Sequence, residues 1–249
     1  MKAPILQRHL PADMQAGRAL PGIQPEHGPW LRVDEAYGAQ MARRRALLRD
    51  APHLVLYQEN AALPAAQELL EAVLTELPGL GFERAGDVVT CPDARKVDVS
   101  STTAPMGLLG ELLQNDFIIM EKRGDEHVLS AGVLCFPASW RLSEKAGRPL
   151  TDIHVPVEEY TPELARRVQR LFDGIQVGRP LWRFNQLWYD DPELFQPRSA
   201  RDPRRVDATE AGPFYRTERQ TLLRLPISRA VVFAIHTYVL ARANVPDLT

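Results

Sequence analysis

The sequence predicts an α+β fold built on an antiparallel sheet, and three observations carry that prediction. Helical spacing of apolar residues recurs between positions 34 and 77. A pair of β-like runs separated by a short turn follows, and after one further helix come three more β-like segments. Consecutive strands joined by short links pair antiparallel, because a parallel pair needs a crossover of a dozen or more residues.

Residues 1–29 are proline-rich and lack periodicity, so they read as an arm preceding a domain over 30–245. Over 34–50, Tyr37, Met41, Leu47 and Leu48 suggest a helix behind Asp34 as a cap. A second helix, 62–77, places Leu63, Ala66, Leu70, Val73, Leu74 and Leu77 on one stripe. Pro64 suits its first turn, and Gly79 and Gly81 end it. Residues 83–105 are polar and irregular, a loop with one or two short strands. The runs 116–121 and 128–136 form a hairpin about the turn at 122–126. A helix over 161–175 has Thr161 as cap, Pro162 in the first turn, and Leu164, Val168, Leu171, Phe172 and Ile175 on one face. Strands are predicted at 181–189, 214–225 and 230–240. The long charged loop over 190–212 between two of them is of a length often tied to function.

The chain has 249 residues, enough for one large domain or two small ones. Its hydrophobic content of 45% and charged content of 25% are ordinary for a globular protein. A formal charge of −2 gives no electrostatic case for nucleic acid, which is bound chiefly by phosphate neutralisation. Two cysteines, Cys91 and Cys135, can neither build a disulfide framework nor supply four thiolates to an iron–sulfur cluster. The longest apolar run, 230–240, is too short to span a bilayer. With no basic region leading into an apolar core at its start, the chain reads as cytoplasmic, with no membrane partner. No dinucleotide-binding glycine motif, P-loop, nucleophile elbow or zinc-protease motif is present.

Three stretches carry a resemblance: AGVLCFPASWRLSEKAGRPLTDIHVPVEEY (131–160), PFYRTERQTLLRLP (213–226) and VVFAIHTYV (231–239). Together, and in this order, they resemble the haem-dependent oxidative N-demethylase family, over roughly residues 21–240. The resemblance implies a PAS-like antiparallel sheet with helical additions, holding haem b and its iron.

His154 is the first candidate site residue. Ile153, Val155 and Val157 flank it and Pro156 stiffens the backbone, so it reads as lying in an extended apolar segment. A neutral imidazole so held suits an axial metal ligand. It equally suits a buried histidine bonded to a backbone carbonyl, and the resemblance favours the haem iron. In the strand at 214–225, Arg216, Glu218, Gln220, Leu222 and Arg224 alternate with Tyr215, Thr217, Arg219, Thr221 and Leu223. Guanidinium groups match carboxylates, so Arg219 and Arg224 read as cofactor-binding residues for haem propionates. An ion pair between Glu218 and an arginine is the plainer alternative. His236, on a strand face with Tyr238, is a further cofactor-binding candidate, although the family pattern has arginine there. Arg183 and Asn185 resemble the family's R-x-N-W motif, with Gln186 where tryptophan is expected. They read as catalytic residues with Glu218, whose carboxylate would attract an alkylammonium ion. Cys91, next to Pro92, is a weaker haem-ligand candidate, and Cys135 reads as core.

The implied activity is oxidative demethylation of a small secondary amine, dimethylamine-like, by a haem b monooxygenase using O2. It yields formaldehyde and the shorter amine. No nicotinamide, flavin or iron–sulfur site is expected in this chain, so electrons would come from a separate reductase; homo-oligomer formation is left open. A haem-binding PAS-like sensor or carrier without turnover is the alternative, and a haem-free small-molecule module a third.

Overall fold

The computed structural model describes residues 3–14, 22–101, 103–154, 162–199 and 212–245. Its centre is an eight-stranded antiparallel sheet, accompanied by a small three-stranded sheet and seven helices, so the predicted α+β class holds. The spine is the pair β10 (Phe214–Arg224) and β11 (Val231–Ala241), in register from Phe214 opposite Ala241 to Arg224 opposite Val231. Their β-branched and aromatic content suits a pleated surface buried on both faces. On one side of β10 lie β8 (Leu181–Phe184) and β9 (Leu187–Tyr189), with β1 (Gln24–Pro25) at the edge beyond β8. On the other side of β11 the order runs through β6 (Asp116–Arg123) and β7 (Glu126–Val133) to β2 (Leu56–Gln58).

The predicted hairpin is β6–β7, closed by a turn in which Gly124 takes φ +61, a conformation that L side chains rarely adopt. The strand predicted at 181–189 divides into β8 and β9, because Asn185 and Gln186 leave the ladder between them. Three short strands, β3 (Glu83–Ala85), β4 (Val88–Thr90) and β5 (Lys96–Asp98), occupy the region read as loop.

The sheet's first face packs on α1 (Tyr37–Asp50), α3 (Leu63–Glu76) and α4 (Pro105–Leu112). From α3, Leu69, Leu70, Val73 and Leu74 are buried there, each contributing about 2 kcal/mol by leaving water. α4 is absent from the expectations above; Pro105 begins it, and Gly110 lets it approach β7, where a Cβ would meet Val133 at 2.9 Å. α1 buries a charge, Arg44, which donates to the Asp116 carboxylate at 2.6 Å and to the carbonyls of Gly110, Gln114 and Asn115. Asp116 also accepts the backbone N–H groups of Cys135 and Phe136. α2 (Pro52–Val55) leads into β2.

The second face is covered by α5 (Leu142–Lys145), α6 (Leu150–His154) and α7 (Pro162–Gly174). The segment leading to His154 is therefore helical, where an extended one was expected: His154 ends α6. Leu150 and Ile153, three apart, share the helix side that is buried, and that packing overrides the β-branched tendency of the local sequence. The proline-braced remainder, 155–161, lies outside the described residues, as does 200–211 of the long loop. Before the sheet, Gln7 and Met14 are fully buried, and Gln7 exchanges hydrogen bonds with the Val239 backbone. Part of the predicted arm thus packs against β11. No helix of the described residues is long and apolar enough to cross a membrane.

Candidate functional site

Between the second sheet face and α5–α7 lies a cavity of about 370 Å³. Strand alternation supplies its floor: Glu218, Gln220 and Leu222 of β10, Phe233 and Ile235 of β11, and Ile118 and Met120 of β6. The helices supply its roof: Leu150 and Ile153 from α6, with Val168, Leu171 and Phe172 from α7. Arg183 of β8, Trp140 and Lys145 also line it, with Ile23 and Leu129. An apolar chamber with a few converging charged groups is the usual character of a small-molecule or cofactor site.

Glu218 is the buried charge of this chamber. Its Oε2 accepts Asn185 Nδ2 at 2.9 Å and Gln220 Nε2 at 3.1 Å. The Asn185 Oδ1 in turn accepts the Glu218 backbone N–H at 2.8 Å, so the two residues lock each other. Among the described residues, the other oxygen, Oε1, has a charged neighbour only in Arg216 Nη2, at 3.9 Å, beyond hydrogen-bond reach. Arg216 spends its donors instead on the carbonyls of Leu194 and Phe136. Burial raises the Glu218 pKa, outweighing the Arg216 charge and the two amide donors.

Of the residues singled out from sequence, Arg183 and Glu218 meet in the cavity and Asn185 orients Glu218. His154 follows Ile153, whose side chain lines the cavity, so its backbone stands at the cavity's edge. Its side chain lies outside the described set.

Three candidates are placed elsewhere. Arg219 and His236 sit opposite each other on β10 and β11, on the face turned away from the cavity. Arg219 bonds Asp13 at 2.8 Å and Glu26 at 2.5 Å, with its guanidinium 3.6 Å over the Trp182 ring. The carboxylates it was expected to take from a cofactor are supplied by the chain. His236 Nε2 lies 2.9 Å from Asp34 Oδ2; an ionised carboxylate has no proton, so the ring nitrogen donates. Arg224 shares the parity of Glu218 but reaches the end of α7, donating to the carbonyls of Phe172, Ile175 and Arg229. Such use of an arginine satisfies the orphan carbonyls of a helix C-terminus. The alternation was read correctly from the sequence, but which face was the cavity face was not available from it.

Cys91 and Cys135 are buried and neither lines the cavity. Among the described residues no cluster of three histidine, cysteine or acidic side chains is placed to hold a bare metal ion.

Two cavity residues escaped the sequence reading. Trp140 was a corner and Lys145 part of a charged turn; in the structure, the Lys145 ammonium lies 4.6 Å from the Trp140 ring centroid. Burial lowers the Lys145 pKa to about 8, against the opposing pull of Glu144 and Glu218. A lysine beside a tryptophan, in a chain with four lysines in all, was the available signal.

The lining can be tested against haem, an apolar ring with two carboxylates and one metal seeking a side-chain donor. The aliphatic and phenyl walls suit the ring, and Arg183 is a cation matched to carboxylates. α6 brings the backbone of one histidine to the roof. The residues present fit the group. In comparison with known proteins, residues 22–247 match the family model described as haem-dependent oxidative N-demethylase, alpha subunit-like.

Proposed function

Because the chain belongs to the haem-dependent oxidative N-demethylase alpha-subunit-like family, we propose that it demethylates a small secondary alkylamine, with haem b held in the cavity beneath α5–α7. The observation that carries this reading is Glu218, a buried carboxylate with one open oxygen in an otherwise apolar chamber. An alkylammonium ion has a small cationic head and apolar substituents, and both halves find their match there. Bound haem would supply oxidation of an N-methyl carbon by O2 and two electrons.

The protein's part is to bind, orient and exclude water. His154, whose backbone ends α6, would hold the haem iron. Arg183 would hold a propionate. Asn185 and Gln220 fix the Glu218 carboxylate through Oε2, leaving Oε1 to receive an N–H of the amine. Because burial disfavours the Glu218 anion, a cation that pairs with it gains more than it would in water. The hydroxylated methyl then leaves as formaldehyde, and the overall balance consumes O2, two electrons and two protons for one water and one aldehyde. A separate reductase would provide the electrons.

An absorption scan of the purified protein should show a Soret band, and dimethylamine with O2 and a chemical reductant should release formaldehyde. His154→Ala should abolish stoichiometric haem retention while leaving the far-UV spectrum intact. Full retention with an unchanged spectrum would move the ligand elsewhere; a Soret band without formaldehyde would favour a sensor or carrier.

A further inference from the structure

Lysine is scarce in this chain, at positions 2, 96, 122 and 145 only. Lys96 is exposed, and Lys122 is tied to Asp173 at 2.6 Å. Lys145, by contrast, faces into the cavity, and no carboxylate of a described residue lies within ion-pair distance of it. Its neighbour is the face of Trp140, which attracts an ammonium ion but accepts no proton. An amine partly shielded from water, with no described carboxylate paired to it, keeps more of its neutral form, and only that form carries the free electron pair that attacks carbonyl compounds.

We propose that Lys145 is a carbonyl-reactive lysine, a covalent site for small aldehydes within the cavity. The source of such an aldehyde rests on the demethylation proposed above, which would release formaldehyde into the same chamber. The Nζ electron pair attacks the carbonyl carbon, and the C=O π pair moves to oxygen, which takes up a proton as the nitrogen gives one up. The product is a carbinolamine; loss of water leaves the imine. Nothing is oxidised or reduced, so no co-reactant is needed. The adduct removes a cation from the wall shared with Glu218 and adds a carbon to the chamber, so accumulated product would alter the site that made it.

Chemistry and burial agree on selectivity. With a pKa lowered to about 8, roughly a tenth of Lys145 is neutral at pH 7, against well under a thousandth of an ordinary lysine. Because lower basicity also weakens nucleophilicity, the expected advantage is about tenfold rather than the full ratio of neutral fractions.

The test uses the purified full chain with its cofactor, carbon-13 formaldehyde at a few equivalents, and cyanoborohydride to fix imines as methylamines. Peptide mass spectrometry then compares the lysines. Lys145 should be methylated about tenfold faster than Lys96 or Lys122. Lys145→Arg, which keeps the cation over Trp140, should lose that adduct and leave the others unchanged. Labelling of Lys145 no faster than of Lys96 would overturn the assignment. A second arm replaces added aldehyde with dimethylamine, O2 and a reductant. If added formaldehyde labels Lys145 and turnover does not, the reactive lysine stands and the demethylase reading falls.

Discussion

Glu218 is a carboxyl group almost fully withdrawn from water, and its neighbours are arranged around it. Asn185 and Gln220 satisfy one oxygen, while Arg216 Nη1 and Nη2 donate to carbonyls. Its folded pKa is raised by burial, so the stability it contributes is fully present below the unfolded pKa and is lost as pH rises through the folded one. At neutral pH the charged form would cost folding stability, because burial disfavours it. Glu218→Gln should therefore leave thermal stability equal or higher. It should weaken binding of dimethylammonium about tenfold or more, the scale of one charge-assisted hydrogen bond. Differential scanning calorimetry and a spectral titration of the holoprotein measure the two halves. A variant that loses stability while binding the amine normally would make Glu218 a purely structural residue. Arg219 shows the converse: a residue that looks like an anion-binding group already has both terminal nitrogens paired with Asp13 and Glu26.

At the scale of elements, α7 is the outer wall of the cavity, and its end is fixed by a strand residue. The Arg224 guanidinium gathers the carbonyls of Phe172 and Ile175 at the end of α7, together with Arg229 in the β10–β11 turn. Arg224→Met leaves those buried acceptors unpaired and should cost about 3 kcal/mol. That corresponds to a melting temperature lower by roughly 6–12 °C for a chain of this size. Since Phe172 and Leu171 line the cavity, haem should also dissociate faster from the variant. Unchanged stability would show that water replaces the guanidinium at no cost. Elements also mark where the sequence could be read. The α3 stripe and the β10 alternation are periodic over many residues, so their burial pattern is written into the order of side chains. α1 is less plain because its buried side includes Gln40 and Arg44, polar residues whose partners lie on α4, β6 and β11. α6 carries no helical period of its own, being five residues with a single apolar pair, Leu150 and Ile153.

For the whole molecule, one polar cluster ties distant stretches of chain together. The Asp34 carboxylate, just before α1, accepts from Gln7 near the start, Gln114 ahead of β6, and His236 on β11. Burial works against the Asp34 charge, but the His236, Gln114 and Gln7 contacts outweigh it and hold its pKa at about 2. A depressed carboxylate stabilises the fold above its unfolded pKa, near 3.8. That contribution, about 2 kcal/mol, is lost as pH falls from 3.8 toward 2. Asp34→Asn should remove this part of the acid sensitivity and lower stability at neutral pH by a similar amount. Urea unfolding at pH 7 and pH 3 checks both; equal pH dependence in variant and wild type would place the acid-labile charge elsewhere.

What the order of residues determined alone was local and periodic. It set the antiparallel strands, the faces of β10 and β11, the helices α3 and α7, and the family motifs on which Arg183, Asn185 and Glu218 were chosen. Tertiary structure decided which side of the sheet is hollow and which is filled. That choice separates Glu218 from Arg219, one residue apart, sending one to the cavity and the other to a pair of carboxylates far off in sequence. Alternation fixes only that neighbours point in opposite directions. Which direction leads to a chamber depends on how closely the helices pack above each face, and that is a sum over contacts between segments distant along the chain.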